Sequence, residues 1–169
     1  ATQTDAFQLL HDWMTLLNRG YRITPVGSSD SHDVSRYIVG QGRTYIQCDD
    51  SQPGKIDTDA AITNFLAGRV RVSYGLLCEL VIDDRYRAGD VAATSGAEIS
   101  ATILVLGPSW SKANRIELFA NGQRIRQETI PKYRLEDLPL GVQWQGTWKI
   151  PLPKHDVHLV AVASGGGVA

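Results

Sequence analysis

Thiols are scarce in this chain of 169 residues: Cys48 and Cys78 are its only cysteines. They form neither a CxxC pair nor a dense disulfide pattern, so a disulfide-stapled scaffold is excluded, the redox compartment stays open, and two solitary buried thiols are expected. No apolar run approaches the ~18 residues of a membrane span, and the first residues lack the basic and apolar regions of a signal peptide. A soluble chain is expected, and its location is not readable. Charge of one sign is missing as well. The formal net charge is -1, with acids and bases mixed along the chain, which removes the electrostatic footprint of a nucleic-acid or anionic-membrane binder. Gly-x-Ser-x-Gly, CxxC, HExxH and phosphate-cradling glycine loops are all absent, so the chemistries those motifs carry have no foothold. Length imposes no such limit, because a domain of about 150 residues buries roughly 70% of its unfolded surface. The chain opens at Ala1 without a methionine, which reads as a processed product, a recombinant piece or a fragment of something longer.

What the chain does have is periodicity, of two kinds. Over residues 5–19 the apolar positions Ala6, Leu9, Leu10, Trp13, Met14, Leu16 and Leu17 recur at three- and four-residue spacing. With Thr4 placed to cap the start and Gly20 the end, that spacing predicts a helix. Residues 21–27 read as a strand reached by a tight turn, so a helix, a strand and a polar loop follow in the order of an α/β unit. Pro25 removes a ladder donor there, which places the strand at an edge or gives it a bulge. Residues 43–48 predict another strand, and Pro53-Gly54 a turn. Residues 57–67 predict a second helix, capped by Asp57, ended by Gly68 and buried along Ile62, Phe65 and Leu66.

Beyond residue 68 the helical signals stop. Residues 70–73, 78–82, 98–106, 115–127, 147–152 and 158–162 are short, mostly alternating runs separated by glycine, proline and aspartate. Asn121-Gly122 is a favoured type I′ hairpin turn, because both residues tolerate positive φ; its simple register sets Leu118 opposite Ile125 and Glu117 opposite Arg126. The run Ser164-Gly165-Gly166-Gly167 reads as a loop or a frayed end. The expected fold class is α+β: an α/β piece over residues 1–75, then an antiparallel β-sandwich-like module over residues 76–169.

The chemistry is concentrated in Ser29-Asp30-Ser31-His32-Asp33, where the extended run 21–27 gives way to a loop. An aspartate and a histidine two positions apart at the end of a strand project to one side and offer an oxygen and an imidazole nitrogen to a shared point. That is half of a metal site. The plain reading is a polar turn, with Asp30 accepting backbone hydrogen bonds and His32 simply exposed. Position favours the functional reading, since strand C-terminal ends are where α/β barrels keep their chemistry. On the residues alone, both stand.

Four stretches bear on the choice: Trp13-x-x-Leu16-Leu17-Asn18-x-Gly20, Val26-Gly27-Ser28-Ser29-Asp30-Ser31-His32, Arg43-Thr44-Tyr45, and Ala67-Gly68-Arg69-Val70-x-Val72-Ser73-x-Gly75. Together they resemble the C-terminal part of the PHP superfamily of metal-dependent hydrolases, in particular the metallohydrolases related to carbaryl hydrolase, which carry a β-rich extension after the PHP domain. The resemblance covers roughly residues 7–125, and its specificity lies in Gly27 to His32. It implies that residues 1–75 are the terminal α/β piece of a PHP-type barrel and residues 76–169 its extension. It also implies that Asp30 and His32 are metal ligands, and that an H-x-H motif and further ligands lie upstream of Ala1. Two departures stand out. Tyr74 and Leu76 replace the asparagine and proline usual in S-N-G-P, and Pro25 interrupts the strand before the motif.

Other candidates are weaker. His155 and His158, three apart in a strand-like run, point to opposite faces and cannot share a metal. His11 borders the first helix's apolar stripe. Arg43 can present its planar fork to an anionic or carbonyl substrate group, and a solvated arginine is an equal reading. Trp144 and Trp148, with Trp110, could form a sugar-stacking platform, although core tryptophans are the safer expectation. The expected function is a share in metal-dependent hydrolysis of a phosphoester, ester or carbamate bond through metal-activated water. Asp30 and His32 would bind Zn, Mn or Fe, with Ser29 and Ser31 orienting them. The chain alone is expected to be inactive, its partners being a small-molecule substrate, the missing N-terminal portion and a second copy of the chain. The alternatives are a non-catalytic β-sandwich binding module, carbohydrate-directed or otherwise, and a purely structural extension.

Overall fold

A computed structural model describes residues 5–32, 39–131 and 138–168, Gly167 and Val168 by their backbone only. It is mixed α+β, with two α-helices and three antiparallel sheets. Helix α1 (Ala6–Asn18) forms where the apolar spacing predicts it, and Asp5 caps it by accepting from the Phe7 amide at 2.9 Å. Thr4, the expected cap, lies outside the described residues. Only Met14 of α1 is buried; Leu9, expected inside, is 56% exposed, and Phe7 is 50% exposed. Helix α2 (Thr58–Leu66) is capped as expected by Asp57, which accepts from the Ala60 amide. Its apolar stripe, however, is not a buried face: Ile62 and Leu66 are exposed. Polar tethers hold it instead, Thr24 Oγ1 donating to the Phe65 carbonyl and Asn64 Nδ2 to the Gln47 carbonyl. Neither helix is long and apolar enough to cross a membrane.

Residues 21–27 form no strand, which corrects the expected α/β unit. Pro25 has no N–H to give, and the one contact in ladder style comes from a side chain: Thr44 Oγ1 accepts from the Gly27 amide and donates to its carbonyl, at 2.9 and 3.0 Å. The neighbouring two-stranded sheet pairs β1 (Arg43–Ile46) with β2 (Val70–Ser73). Among the described residues there is no closed barrel.

The remaining strands form two three-stranded sheets, β3 (Leu77–Ile82), β4 (Glu98–Leu106) and β7 (Val142–Pro151) in one, and β6 (Gln123–Thr129), β5 (Ser111–Ala120) and β8 (Leu159–Val168) in the other. They share one apolar cluster. Strand β4 supplies Ile99, Ala101, Ile103 and Val105 from alternate positions, and β5 supplies Ile116 and Leu118, the period of two that a half-buried strand requires. Trp144 lies within that core and Trp148 packs against it, their ring centroids 5.5 Å apart. They are core residues, which removes the stacking-platform reading. Cys78 packs on the same cluster, and burial pushes its thiol up to about 12, so it stays neutral and inert.

Two further expectations change. The hairpin turn carries positive φ at Asn121 and Gly122 as predicted, but a bulge between Leu118 and Phe119 shifts the register, setting Leu118 opposite Arg126 and Glu117 opposite Gln127. The charge pair that results is Glu117 with Arg124, at 2.7 Å, supported by Arg115 at 3.1 Å. The glycine run 165–167, read as a loop or frayed end, lies inside β8. A Cβ on Gly165 would collide with the Lys112 carbonyl where the β5–β8 register slips, so glycine there permits close backbone approach at a bulge.

Candidate functional site

The Asp30 loop is held by its serines and by close packing against residues 40–43. Ser29 Oγ accepts from the amides of Gly40 and Gly42, at 2.9 and 3.1 Å, and Ser28 Oγ accepts from the Asp30 amide at 3.3 Å. Gly42 is buried, and a Cβ there would stand 2.5 Å from the Ser28 carbonyl oxygen. The two glycines therefore let one loop clasp the other. Ser29, expected to orient the metal ligands, spends its hydroxyl on this clasp.

Asp30 has φ 51, the left-handed region that aspartate tolerates better than most residues. That conformation brings His32 back over the turn: its Nδ1 lies 2.7 Å from the Asp30 carbonyl oxygen and 3.6 Å from Asp30 Oδ1. Both side chains are largely exposed, at 81% and 74%. In the neutral ring this contact places the proton on Nδ1, because a carbonyl only accepts, and the lone pair on Nε2. A backbone carbonyl that sets the tautomer in this way is the usual companion of a metal-binding imidazole.

An open depression of about 540 Å³ lies beside Asp30, lined by residues that include Ser28, Asp30, Gly42 and Arg43; His32 does not line it. Arg43 donates its Nε–H to the Gly40 carbonyl, and its Nη1 stands 3.4 Å from Tyr45 Oη. The structure thus brings Asp30 and Arg43 to one depression, while His32 contacts Asp30 alone. Asp33 lies outside the described residues. Among the described residues no third histidine, cysteine or acid joins the pair in a group that could hold an ion, so the set fits two positions of a mixed oxygen and nitrogen site.

Neither distal histidine contributes. Both precede β8 rather than lie in a strand, His155 facing its neighbour's carbonyl at 2.9 Å and His158 turning its Nε2 inward. Tyr74 is the residue that sequence reasoning passed over. It follows β2 with its Oη 3.5 Å from the Ser28 carbonyl and its ring edge against Gly42. Its only sequence signal is that it stands where the resemblance calls for asparagine. Comparison of the chain with protein-family models, curated proteins and solved structures finds no match. The PHP resemblance therefore rests on the residues of this chain alone.

Proposed function

We propose that this chain contributes one end of a divalent-metal centre in a PHP-type hydrolase that cleaves a phosphoester, ester or carbamate bond. The observation that carries the reading is the 2.7 Å contact from His32 Nδ1 to the Asp30 carbonyl, with the exposed Asp30 carboxylate 3.6 Å from the same nitrogen; in the neutral ring this leaves the lone pair on Nε2. In this reading Asp30 supplies an anionic oxygen and His32 a neutral nitrogen. A bound Zn, Mn or Fe ion supplies Lewis-acid polarisation of the scissile group and acidification of an attacking water. Catalytic zinc sites use about three protein ligands, so the remaining ligands come from a further polypeptide portion, and this chain alone is inactive. The exposed apolar residues Phe7 and Leu9 of α1 agree with a surface that this portion or a second copy of the chain would cover.

Calorimetric titration with Zn²⁺ or Mn²⁺ tests the reading. The chain should bind weakly, and His32→Ala or Asp30→Asn should each remove most of that binding while the thermal midpoint stays within a few degrees. Unchanged binding in both variants, or full hydrolytic activity from the chain alone, would show that the site is misplaced. A non-catalytic binding module is the competing reading; its support is Trp110, an exposed tryptophan on the loop before β5, 64% accessible.

A further inference from the structure

An edge strand offers its outer row of N–H and C=O groups to any extended chain that comes alongside, and proteins guard such edges with charge, proline, bulges or brevity. Among the described strands, β1, β2, β3, β6, β7 and β8 lie at sheet edges. The first five carry charge: Arg43 in β1, Arg71 in β2, Glu79 in β3, Arg126 in β6 and Lys149 in β7. Strand β8 carries none. Its ten residues, Leu159–Val168, include no charged side chain and no proline, and its one ladder neighbour among the described residues is β5.

The outer edge of β8 is not open along its whole length. Strand β3 runs beside it, and the Ala163 backbone reaches the Cys78 thiol. Residues 159–164 are accordingly half-buried, whereas Gly165 and Gly166 are exposed. The register slips near Ala113 twist this last part of the strand, which is its one guard, and a bulge re-aims an edge without repelling what approaches it.

We propose that residues 164–168 of β8 pair antiparallel with the same residues of a second copy of this chain, about a twofold axis near Gly166, so that two three-stranded sheets join edge to edge. The lack of charge is what selects a second copy. A twofold contact sets the same patch against itself, so a charged edge meets its own sign close to the axis, and like charges directly opposite are destabilising. In β8 the twofold sets Ser164 opposite Val168, Gly165 opposite Gly167 and Gly166 opposite itself, and no charge is brought to the contact. The paired stretch is short, which places the dimer at the weak, concentration-dependent end of interface size. This contact is independent of Asp30 and His32 and of the metal reading.

Sedimentation of the full chain from micromolar to millimolar concentration should show a reversible monomer–dimer equilibrium. Gly166→Cys, in a Cys48→Ser background, should give a disulfide-linked dimer under mild oxidation about tenfold faster than Ser109→Cys, an exposed position away from the edge that links only by random collision. A Cβ on Gly166 meets nothing nearer than Asn114 Nδ2 at 4.0 Å, so substitutions there leave the fold intact, and unchanged thermal midpoints check this. Gly166→Lys sets two like charges across the axis and should weaken association about fivefold, the upper end of that cost across a ladder. Gly166→Ser, which adds a side chain without charge, should retain it. A monomer at every concentration, equal linking rates at the two cysteine positions, or association untouched in Gly166→Lys would overturn the proposal. So would a dimer that survives Gly166→Lys and is lost in Leu9→Asp, which would assign the contact to the exposed face of α1.

Discussion

His158 keeps its Nε2 buried, without a hydrogen-bond partner among the described residues, and desolvation lowers its pKa from the ordinary 6.5. The folded state therefore resists protonation that the unfolded chain accepts. Below about pH 6.5 the unfolded state binds the extra proton, so stability falls as pH falls, until the folded pKa is also passed. A thermal melt series from pH 7.5 to 5 should show a declining midpoint, and His158→Gln should flatten that decline. An unchanged slope in the variant would assign the acid sensitivity elsewhere. Glu117 is the other buried polar group with consequences. It is 3% exposed and faces Arg124 and Arg115. Glu117→Ala leaves Arg115 Nε, 3.1 Å from the Glu117 carboxylate, without its counter-charge. Since the two arginine side chains are 53% and 40% exposed, water offsets part of the loss, and about 1–3 kcal/mol of destabilisation is expected from urea unfolding.

At the scale of elements, the decisive features are irregularities in the sheet around β5. One bulge, between Leu118 and Phe119, changes which β6 side chain meets Glu117; the register slips near Ala113 place β8's glycines against β5's backbone. Gly165→Ala puts a methyl group into the Lys112 carbonyl, so the β5–β8 pairing must shift. The expected cost is about 1–3 kcal/mol, in line with other overpacking substitutions, read as a lower urea midpoint with unchanged m value. Gly166→Ala, whose added atom meets nothing nearer than Asn114 Nδ2 at 4.0 Å, is the control and should cost clearly less. If the two variants matched, strand propensity rather than close approach would explain the glycines.

The whole molecule is uneven in how deeply it buries its parts. Strands β4 and β5 carry residues with no exposure at all, Ile103 and Ile116 among them, while α1 buries Met14 alone and α2 nothing. Local stability follows buried apolar contact. Amide exchange should therefore release α2 and α1 well before β4 and the centre of β5. Equal protection across helices and strands would mean that the helices are covered in solution. Ile103→Ala, in the middle of the shared core, should destabilise by about 2–5 kcal/mol without altering the Asp30 loop, so Zn²⁺ binding below its melting temperature should be unaffected.

The local chemistry of this chain was legible in its residues. Asp57 caps a helix because a short carboxylate can reach the third amide beyond it, Asn121-Gly122 makes a hairpin because both accept positive φ, and β4 alternates because a strand turns every second side chain inward. The contact of His32 with Asp30 has another origin than strand alternation: the left-handed turn at Asp30 folds the imidazole back onto its carbonyl. What depended on distant contacts was not legible. Residues 21–27 have strand-like composition, but whether they join a ladder is decided by a neighbouring edge, and there a threonine side chain meets them instead. The α2 stripe has a helix's periodicity, yet periodicity states only which face could be buried, and among the described residues Ile62 and Leu66 stay exposed. The glycines of β8 looked like a frayed end because composition reports backbone freedom; only the approach of Lys112 shows that the freedom serves close packing. Tyr74 joins the Asp30 loop across 46 positions of sequence, a distance over which no local pattern carries information, and so its place at the site was decided by tertiary structure alone.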